Sequence, residues 1–265
     1  MNRYLLRSRR LLPGLAVAIA LCVMLPPSRA AAQHDTSVRV GSSAVVDITV
    51  RDGRLIVRGV DGTSGTVRGD HRRFELRTTG TTMSMTPRDV SDSRSRSQRD
   101  DDLLEVDVPR GVRLVIRGTS ADIDIRDLSG SVDAFTSSGT LHIDQVRGRV
   151  NAATLTGDIS VTGESSGLRV TTVSGDLRLR EVRGEVDVHT TSGDVSISGA
   201  PIDRLTVESI SGDVRMDGLL ARDAWVRITA HSGDVTLRLP DDARGELTMS
   251  SYSGDLQSAV PLTLM

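Results

Sequence analysis

Carboxylates that recur at a fixed spacing are the residues of this sequence best suited to chemistry. Six copies of a Ser/Thr-Gly-Asp tripeptide, each followed by an apolar residue, occur in the second half of the chain at steps of 18 to 21 residues. Their aspartates are Asp158, Asp176, Asp194, Asp213, Asp234 and Asp255. If the repeats stack, these like charges lie in one column and repel each other, and a bound Ca²⁺ would relieve the repulsion. A calcium ladder is therefore one hypothesis for the column.

Turn chemistry gives a simpler interpretation of the same tripeptide. Glycine adopts a positive φ without steric cost, and an aspartate carboxylate can accept backbone N–H groups in an Asx-type turn. The calcium-binding nonapeptide β-helices also have a shorter repeat that is much richer in glycine. We therefore predict that the tripeptide forms a corner of the chain, and that the protein holds no metal and no cofactor.

Apolar residues flank each tripeptide with a period of two. Around Asp194, for example, Val186 and Val188 precede the corner and Val195 and Ile197 follow it. Alternation on both sides predicts two half-buried strands joined by a corner. An antiparallel meander would also alternate, but like residues recurring in columns favour stacked coils. The predicted fold is all-β, a single-stranded β-solenoid (β-helix) of about eight 18–21-residue coils, preceded by an irregular β N-terminal part.

The N-terminus predicts export. A basic stretch precedes the apolar run at 11–25, and Ala30-Ala31-Ala32 follows as a small-residue cleavage site, which indicates a secretory signal peptide over 1–32. No later stretch is apolar enough for a transmembrane helix. We expect an N-terminal β segment of the solenoid at 33–86, a disordered polar loop at 87–102, the repeats at 103–257 and a tail at 258–265. The protein should be periplasmic, on the cell surface or secreted.

Composition argues against several functions. The first 32 residues hold five of the 33 basic residues and none of the 35 acidic ones, so the remainder carries a formal charge of −7. This charge, with no basic stripe, argues against nucleic acid as a partner. The histidines lie in different columns of the repeat, and no nucleophile elbow or zinc-ligand spacing occurs. A carbohydrate-active β-helix enzyme remains an alternative, although only four aromatic residues follow the signal segment. The prediction is that the protein is not an enzyme.

Two stretches of the chain carry a family resemblance. The run from Leu104 to Val112 leads into coils such as the one from Val186 to Ile197, VDVHTTSGDVSI. This pattern resembles the bacterial putative-adhesin domain family of unknown function, with its SGDV repeat, and is distantly similar to the putative autotransporter-adhesin head domain. The resemblance covers about 38–257 and implies a β-solenoid with an extracytoplasmic, adhesion-like role and no catalytic residues. The insert at 87–102 departs from the family pattern, as do Ala121 and Thr140.

These observations lead to one functional expectation. We predict a non-catalytic, exported adhesin-like or scaffolding β-solenoid that presents a repetitive polar surface to an envelope polymer, a protein or a second copy of itself. A calcium-stabilised module is the second hypothesis. The Ser/Thr columns four and two residues before each aspartate (for example Thr136, Thr154, Thr172 and Thr190) are expected to stack inside the coils or at their corners rather than to bind a ligand.

Overall fold

The computed structural model describes residues 36–69, 73–88, 103–240, 243 and 245–258. These residues all belong to one compact unit, Gln33–Met265. The predicted signal peptide at 1–32 lies outside the described residues, as do positions 89–102 of the predicted polar loop and 259–265 of the predicted tail. The part of the chain that is described contains no helix that could cross a membrane.

Strands make up the whole regular structure of the described residues, and the predicted β-solenoid is confirmed. The N-terminal strands are β1 Thr36–Arg39, β2 Val45–Val60, β3 Ser64–Arg68, β4 Phe74–Thr79, β5 Thr82–Pro87, β6 Leu103–Pro109 and β7 Arg113–Arg126. The next are β8 Val132–Ser138, β9 Leu141–Asp144, β10 Arg149–Thr156, β11 Ile159–Thr162, β12 Gly167–Ser174 and β13 Leu177–Arg180. The last are β14 Gly184–Ser192, β15 Val195–Ser211, β16 Val214–Ser232, β17 Val235–Arg238, β18 Gly245–Ser253 and β19 Leu256–Ser258.

Successive repeats pair in parallel with like residues side by side. In β14, Val188 pairs with Val170 of the preceding coil and with Val207 of the following one. The strand after the corner behaves in the same way, because Leu177 of β13 pairs with Ile159 of β11. Each repeat is therefore one coil, and the antiparallel meander is excluded for the repeats.

The core consists of the apolar columns on the two sides of each corner. Val188 and Leu179 have no exposed surface, and their equivalents in the neighbouring coils are buried in the same way. Burial of the column is incomplete in the last coil, where Leu256 is 45% exposed. Alternation with a period of two thus gives every strand of the repeats a buried side and an outward side.

The N-terminal end of the stack is built out of chain order. Strand β2 forms a full coil and pairs in parallel with β7 on one side. On its other side the first half of β2 pairs with β5 and the second half pairs with β6. The antiparallel strands β4 and β3 then cover the outer edges of β5 and β6, and β1 extends β3. Antiparallel strands at this end shield the parallel coils from further edge pairing.

Candidate binding face

The aspartate column is a hydrogen-bonded ladder along the solenoid axis. The Asp194 carboxylate accepts a hydrogen bond from the backbone N–H of Asp213, one coil on, at 2.9 Å. The same bond joins five further pairs: Asp122 with Thr140, Asp158 with Asp176, Asp176 with Asp194, Asp213 with Asp234, and Asp234 with Asp255. The prediction of a donor within the same turn was wrong, because stacking brings the next coil's amide closer to the carboxylate.

Glycine has two functions in this corner. Gly193 has a φ of 124°, which confirms the expected left-handed conformation. In addition, a Cβ at Gly193 would collide with the carbonyl oxygen of Gly175, which lies directly beneath it in the preceding coil. The glycines of the column therefore stack backbone on backbone, a constraint that a single repeat does not reveal.

The calcium hypothesis gains no support from this geometry. Each carboxylate that lies beneath another Asp-bearing coil already accepts a backbone N–H bond. Arg178 also reaches the carboxylates of Asp158 and Asp176, at 3.5 and 3.1 Å. Among the described residues no group of three or more His, Cys, Asp or Glu side chains is arranged to hold a metal ion. The six aspartates therefore lie together in one column, in which hydrogen bonds join neighbouring coils.

The long strands before the corners form a different surface, which we call the front face. It consists of the outward side chains of β8, β10, β12, β14, the second halves of β15 and β16, and β18. In β16 the outward residues Trp225, Arg227, Thr229 and His231 alternate with buried ones such as Ile228. Because the coils stack in register, each outward position continues as a column from coil to coil.

Exposed apolar side chains are concentrated on the front face. Five of the eight large hydrophobic residues that are exposed in the described chain lie there: Phe135, Leu155, Val173, Ile210 and Tyr252. Tyr252 is 83% exposed, and its ring stacks on His231 with ring centres 4.9 Å apart. Of the four aromatic residues after the signal segment, three lie on this face rather than in the core. The surface predicted to be polar therefore carries apolar groups as well.

A shallow groove of about 790 Å³ runs along the C-terminal half of the front face. It crosses five coils, which corresponds to about 19 Å at the spacing of neighbouring strands. One wall contains Val173, Ile210, His231 and Tyr252, and the other contains small or polar residues such as Thr229. The floor is the buried Ser/Thr column that the sequence predicted to lie inside the coils.

The charged groups of the groove are paired with one another. The two ring nitrogens of His189 contact Asp187 at 2.9 Å and Glu208 at 3.1 Å. Asp187 also pairs with Arg169 at 3.0 Å. Because both nitrogens of His189 face carboxylates, this ring is poorly placed to act as a general base. The histidines His189 and His231 do share the groove, which the sequence did not predict.

A second charged pair lies at the N-terminal end of the front face. Burial alone would raise the pKa of Asp133, but hydrogen bonds from Asn151 and Arg113 outweigh it and lower the pKa below its usual value. Arg113 contacts the Asp133 carboxylate at 2.8 Å. This carboxylate is therefore held in its ionised form, which suits a structural ion pair rather than a proton donor.

Trp225 is the centre of a cationic cluster at the side of the groove. The guanidinium carbons of Arg204 and Arg227 lie 5.1 and 5.0 Å from the centre of its ring. Arg204 comes from the preceding coil and pairs with Trp225 across the strands, whereas Arg227 lies two residues further along β16. Both arginines are exposed, and neither has an ion-pair partner among the described residues.

Several solved structures are similar to this chain at low sequence identity. A putative adhesin from Bacteroides fragilis is similar at a TM-score of 0.48 and 10% identity, over 88% of this chain and 98% of that one. A putative adhesin from Parabacteroides distasonis has a TM-score of 0.45 and 11% identity, over 86% and 98%. A protein named putative lipid binding protein from the same species has a TM-score of 0.40 and 12% identity, over 86% and 96%.

The family comparison covers most of the chain. No curated protein matches it. The Toastrack DUF4097 family matches residues 46–263, which include the solenoid from its first coil to the last described strand. The chain belongs to the Toastrack DUF4097 family.

Proposed function

We propose that this chain is an exported, non-catalytic, adhesin-like solenoid that binds a component of the cell envelope through its front face. The observation that carries the proposal is the concentration of exposed apolar residues on one face. Ile210 is 55% exposed and Tyr252 is 83% exposed, although polar residues at these outward positions would serve a purely structural repeat equally well. A contiguous exposed apolar patch rimmed by polar groups is typical of an interaction site.

The shape and chemistry of the face favour binding over catalysis. The groove is shallow and crosses five coils, so it suits an extended partner. Glu208 is the only carboxylate among the described residues that line it, and it already contacts His189. A glycosidase needs two carboxylates facing one bond, and the groove does not offer such a pair. Neither the enzyme nor the calcium-stabilised module has an observation of its own to favour it.

Export is part of the proposal and rests on the signal-like segment at 1–32. The partner is then an envelope polymer, an envelope protein or a second copy of the chain. Titration of the chain with an acidic oligosaccharide and with an acidic polypeptide separates the carbohydrate class from the protein class. Self-association is separated by measuring the molecular mass of the purified chain in solution.

Co-sedimentation of the chain with isolated cell envelopes tests the proposal. Ile210→Ser and Tyr252→Ala should each lower the bound fraction several-fold, because each removes exposed apolar surface from the front face. The matched control is Leu219→Ser, which removes a side chain that is 47% exposed but does not line the groove. Equal binding by wild type and both front-face variants would contradict the proposal.

A further inference from the structure

Two aromatic residues that carry a polar group, Trp225 and Tyr252, lie on the same end of the front face. Trp225 belongs to β16, and Tyr252 belongs to β18 in the next coil. Tyr252 stacks on His231, which lies six residues after Trp225 on the same strand, or about 20 Å along it. Two ring surfaces therefore flank the same coils, one at each side.

Small hydroxyl side chains occupy the space between these rings. Thr229 lies between Trp225 and His231 in β16, and Thr248 and Ser250 of β18 pair with Arg227 and Thr229 of β16. Thr206 extends the same surface into the preceding coil. A row of hydroxyl groups between two aromatic surfaces offers both hydrogen bonds and apolar contact to one extended ligand.

Arginine supplies positive charge at the tryptophan side. The guanidinium groups of Arg204 and Arg227 both lie about 5 Å from the ring centre of Trp225. On the same face, by contrast, Arg169 is neutralised by Asp187. Because a guanidinium binds a carboxylate with two parallel hydrogen bonds, this pair suits a carboxylate on the ligand.

We propose that this end of the front face binds a glycan chain that carries carboxylates, such as a polymer of uronic acids. The inference rests on the proposed function and names the class of its partner. A pyranose ring has an apolar C–H surface that packs on an aromatic ring, and it has hydroxyls around its rim. The carboxylate of a uronic acid then pairs with Arg204 and Arg227 while neighbouring sugars contact Thr229, Ser250 and Tyr252.

Other polymers fit this surface less well. A peptide strand cannot add to it by backbone pairing, since the backbone groups of β16 are already paired with β15 and β18. A polyanion of high charge density, such as nucleic acid, needs an extended basic surface, whereas Glu208 and Glu246 lie among these residues. A uronic-acid glycan carries its charges further apart than duplex nucleic acid does, and it satisfies both the two arginines and the hydroxyl row.

The single tryptophan of the chain makes the site directly measurable. Oligogalacturonate, a neutral xylan oligomer and polyglutamate are each titrated into the full chain, with calorimetry for the Kd and Trp225 fluorescence for the place of binding. Oligogalacturonate should bind and change the Trp225 emission, and the other two should bind at least about tenfold more weakly, since each lacks either the carboxylates or the sugar rings.

Variants assign the interaction to the site. Arg227→Gln and Tyr252→Ala should each weaken oligogalacturonate binding about tenfold, a loss of about 1.4 kcal/mol. Arg215→Gln is the matched control, because Arg215 is an exposed arginine of the first half of β16, away from the front face. It should leave the Kd unchanged.

The outcomes separate the two proposals. Polyglutamate binding as tightly as oligogalacturonate, or Arg227→Gln binding like wild type, would overturn the glycan inference. So would a lack of uronate binding by a chain whose sedimentation with envelopes still depends on Ile210 and Tyr252, in which case the proposed function stands with a different partner. If envelope sedimentation is indifferent to the front face, the proposed function itself fails.

Discussion

The carboxylate of Asp213 accepts a hydrogen bond from the backbone N–H of Asp234, 21 residues later in the chain and one coil further along the solenoid, at 3.0 Å. The aspartate of each repeat thus fixes the position of the next repeat rather than the shape of its own turn. This relationship accounts for the carboxylates in the repeat without a ligand.

Removing one carboxylate from the ladder should destabilise the solenoid. Asp194→Ala leaves the Asp213 N–H without its acceptor and should lower the free energy of unfolding by about 1 kcal/mol. Asp194→Asn keeps an acceptor oxygen and should cost less. Urea unfolding measures both. Asp255→Ala is the control, because no further coil is described above Asp255, and a loss as large as that of Asp194→Ala would contradict the ladder.

Calcium should have no influence on stability. Each ladder carboxylate beneath another Asp-bearing coil accepts a backbone N–H, so the column needs no cation to hold its charges together. The thermal melting temperature is therefore expected to be the same with calcium and with a chelator. A rise of several degrees on adding calcium would restore the calcium ladder, because a ligand that binds only the folded state raises its melting temperature.

The stacked glycines should tolerate no side chain. Gly193→Ala adds a Cβ that collides with the Gly175 carbonyl and occupies a positive φ, so we expect a loss of about 2–5 kcal/mol in unfolding free energy. Gly167→Ala is the control. Its Cβ would lie 3.7 Å from the nearest atom, in the side chain of Arg149, and its cost should stay within about 0.5 kcal/mol. Similar losses in the two variants would argue against backbone-on-backbone stacking.

Two buried threonines of one column should respond in opposite ways to valine. The Thr172 hydroxyl is buried and has no hydrogen-bond partner in the described structure, so Thr172→Val should be neutral or stabilise by up to about 1 kcal/mol. The Thr136 hydroxyl donates to the Ser138 carbonyl at 2.7 Å, so Thr136→Val should destabilise by about 1 kcal/mol. Chemical denaturation of the pair measures the difference, and equal effects would show that the two hydroxyls have equivalent environments.

The repeat of the sequence was sufficient to predict the coil. Val188 and its column alternate with outward residues at a constant spacing, and a strand of period two has only one way to bury them. Stacking of like residues then follows, because the columns keep the same identity from coil to coil. The corner was predicted from the same pattern, because consecutive glycine and aspartate residues between two strands are typical of a turn.

The hydrogen bonds between coils at the corner and the order of the N-terminal strands could not be predicted from the sequence. Asp194 can accept from its own turn or from its neighbour, and only the stacked geometry decides. The pairing of β5 and β6 with β2 depends on where the chain returns after β4, which no local pattern encodes. The sequence does contain one sign of the front face, because Leu155, Val173 and Ile210 each lie three residues before an aspartate of the repeat. Their significance depends on knowing that this position points outward.

In the proposed function, the corner of each repeat folds the chain and the front face binds the partner. The most direct test of this division is the fraction of protein bound to isolated envelopes for three folded chains measured together: wild type, Asp194→Asn and Tyr252→Ala. The proposed function predicts that Asp194→Asn binds like wild type and that Tyr252→Ala binds several-fold less. Loss of binding in Asp194→Asn with retention in Tyr252→Ala would contradict it and return the binding function to the Ser-Gly-Asp corner.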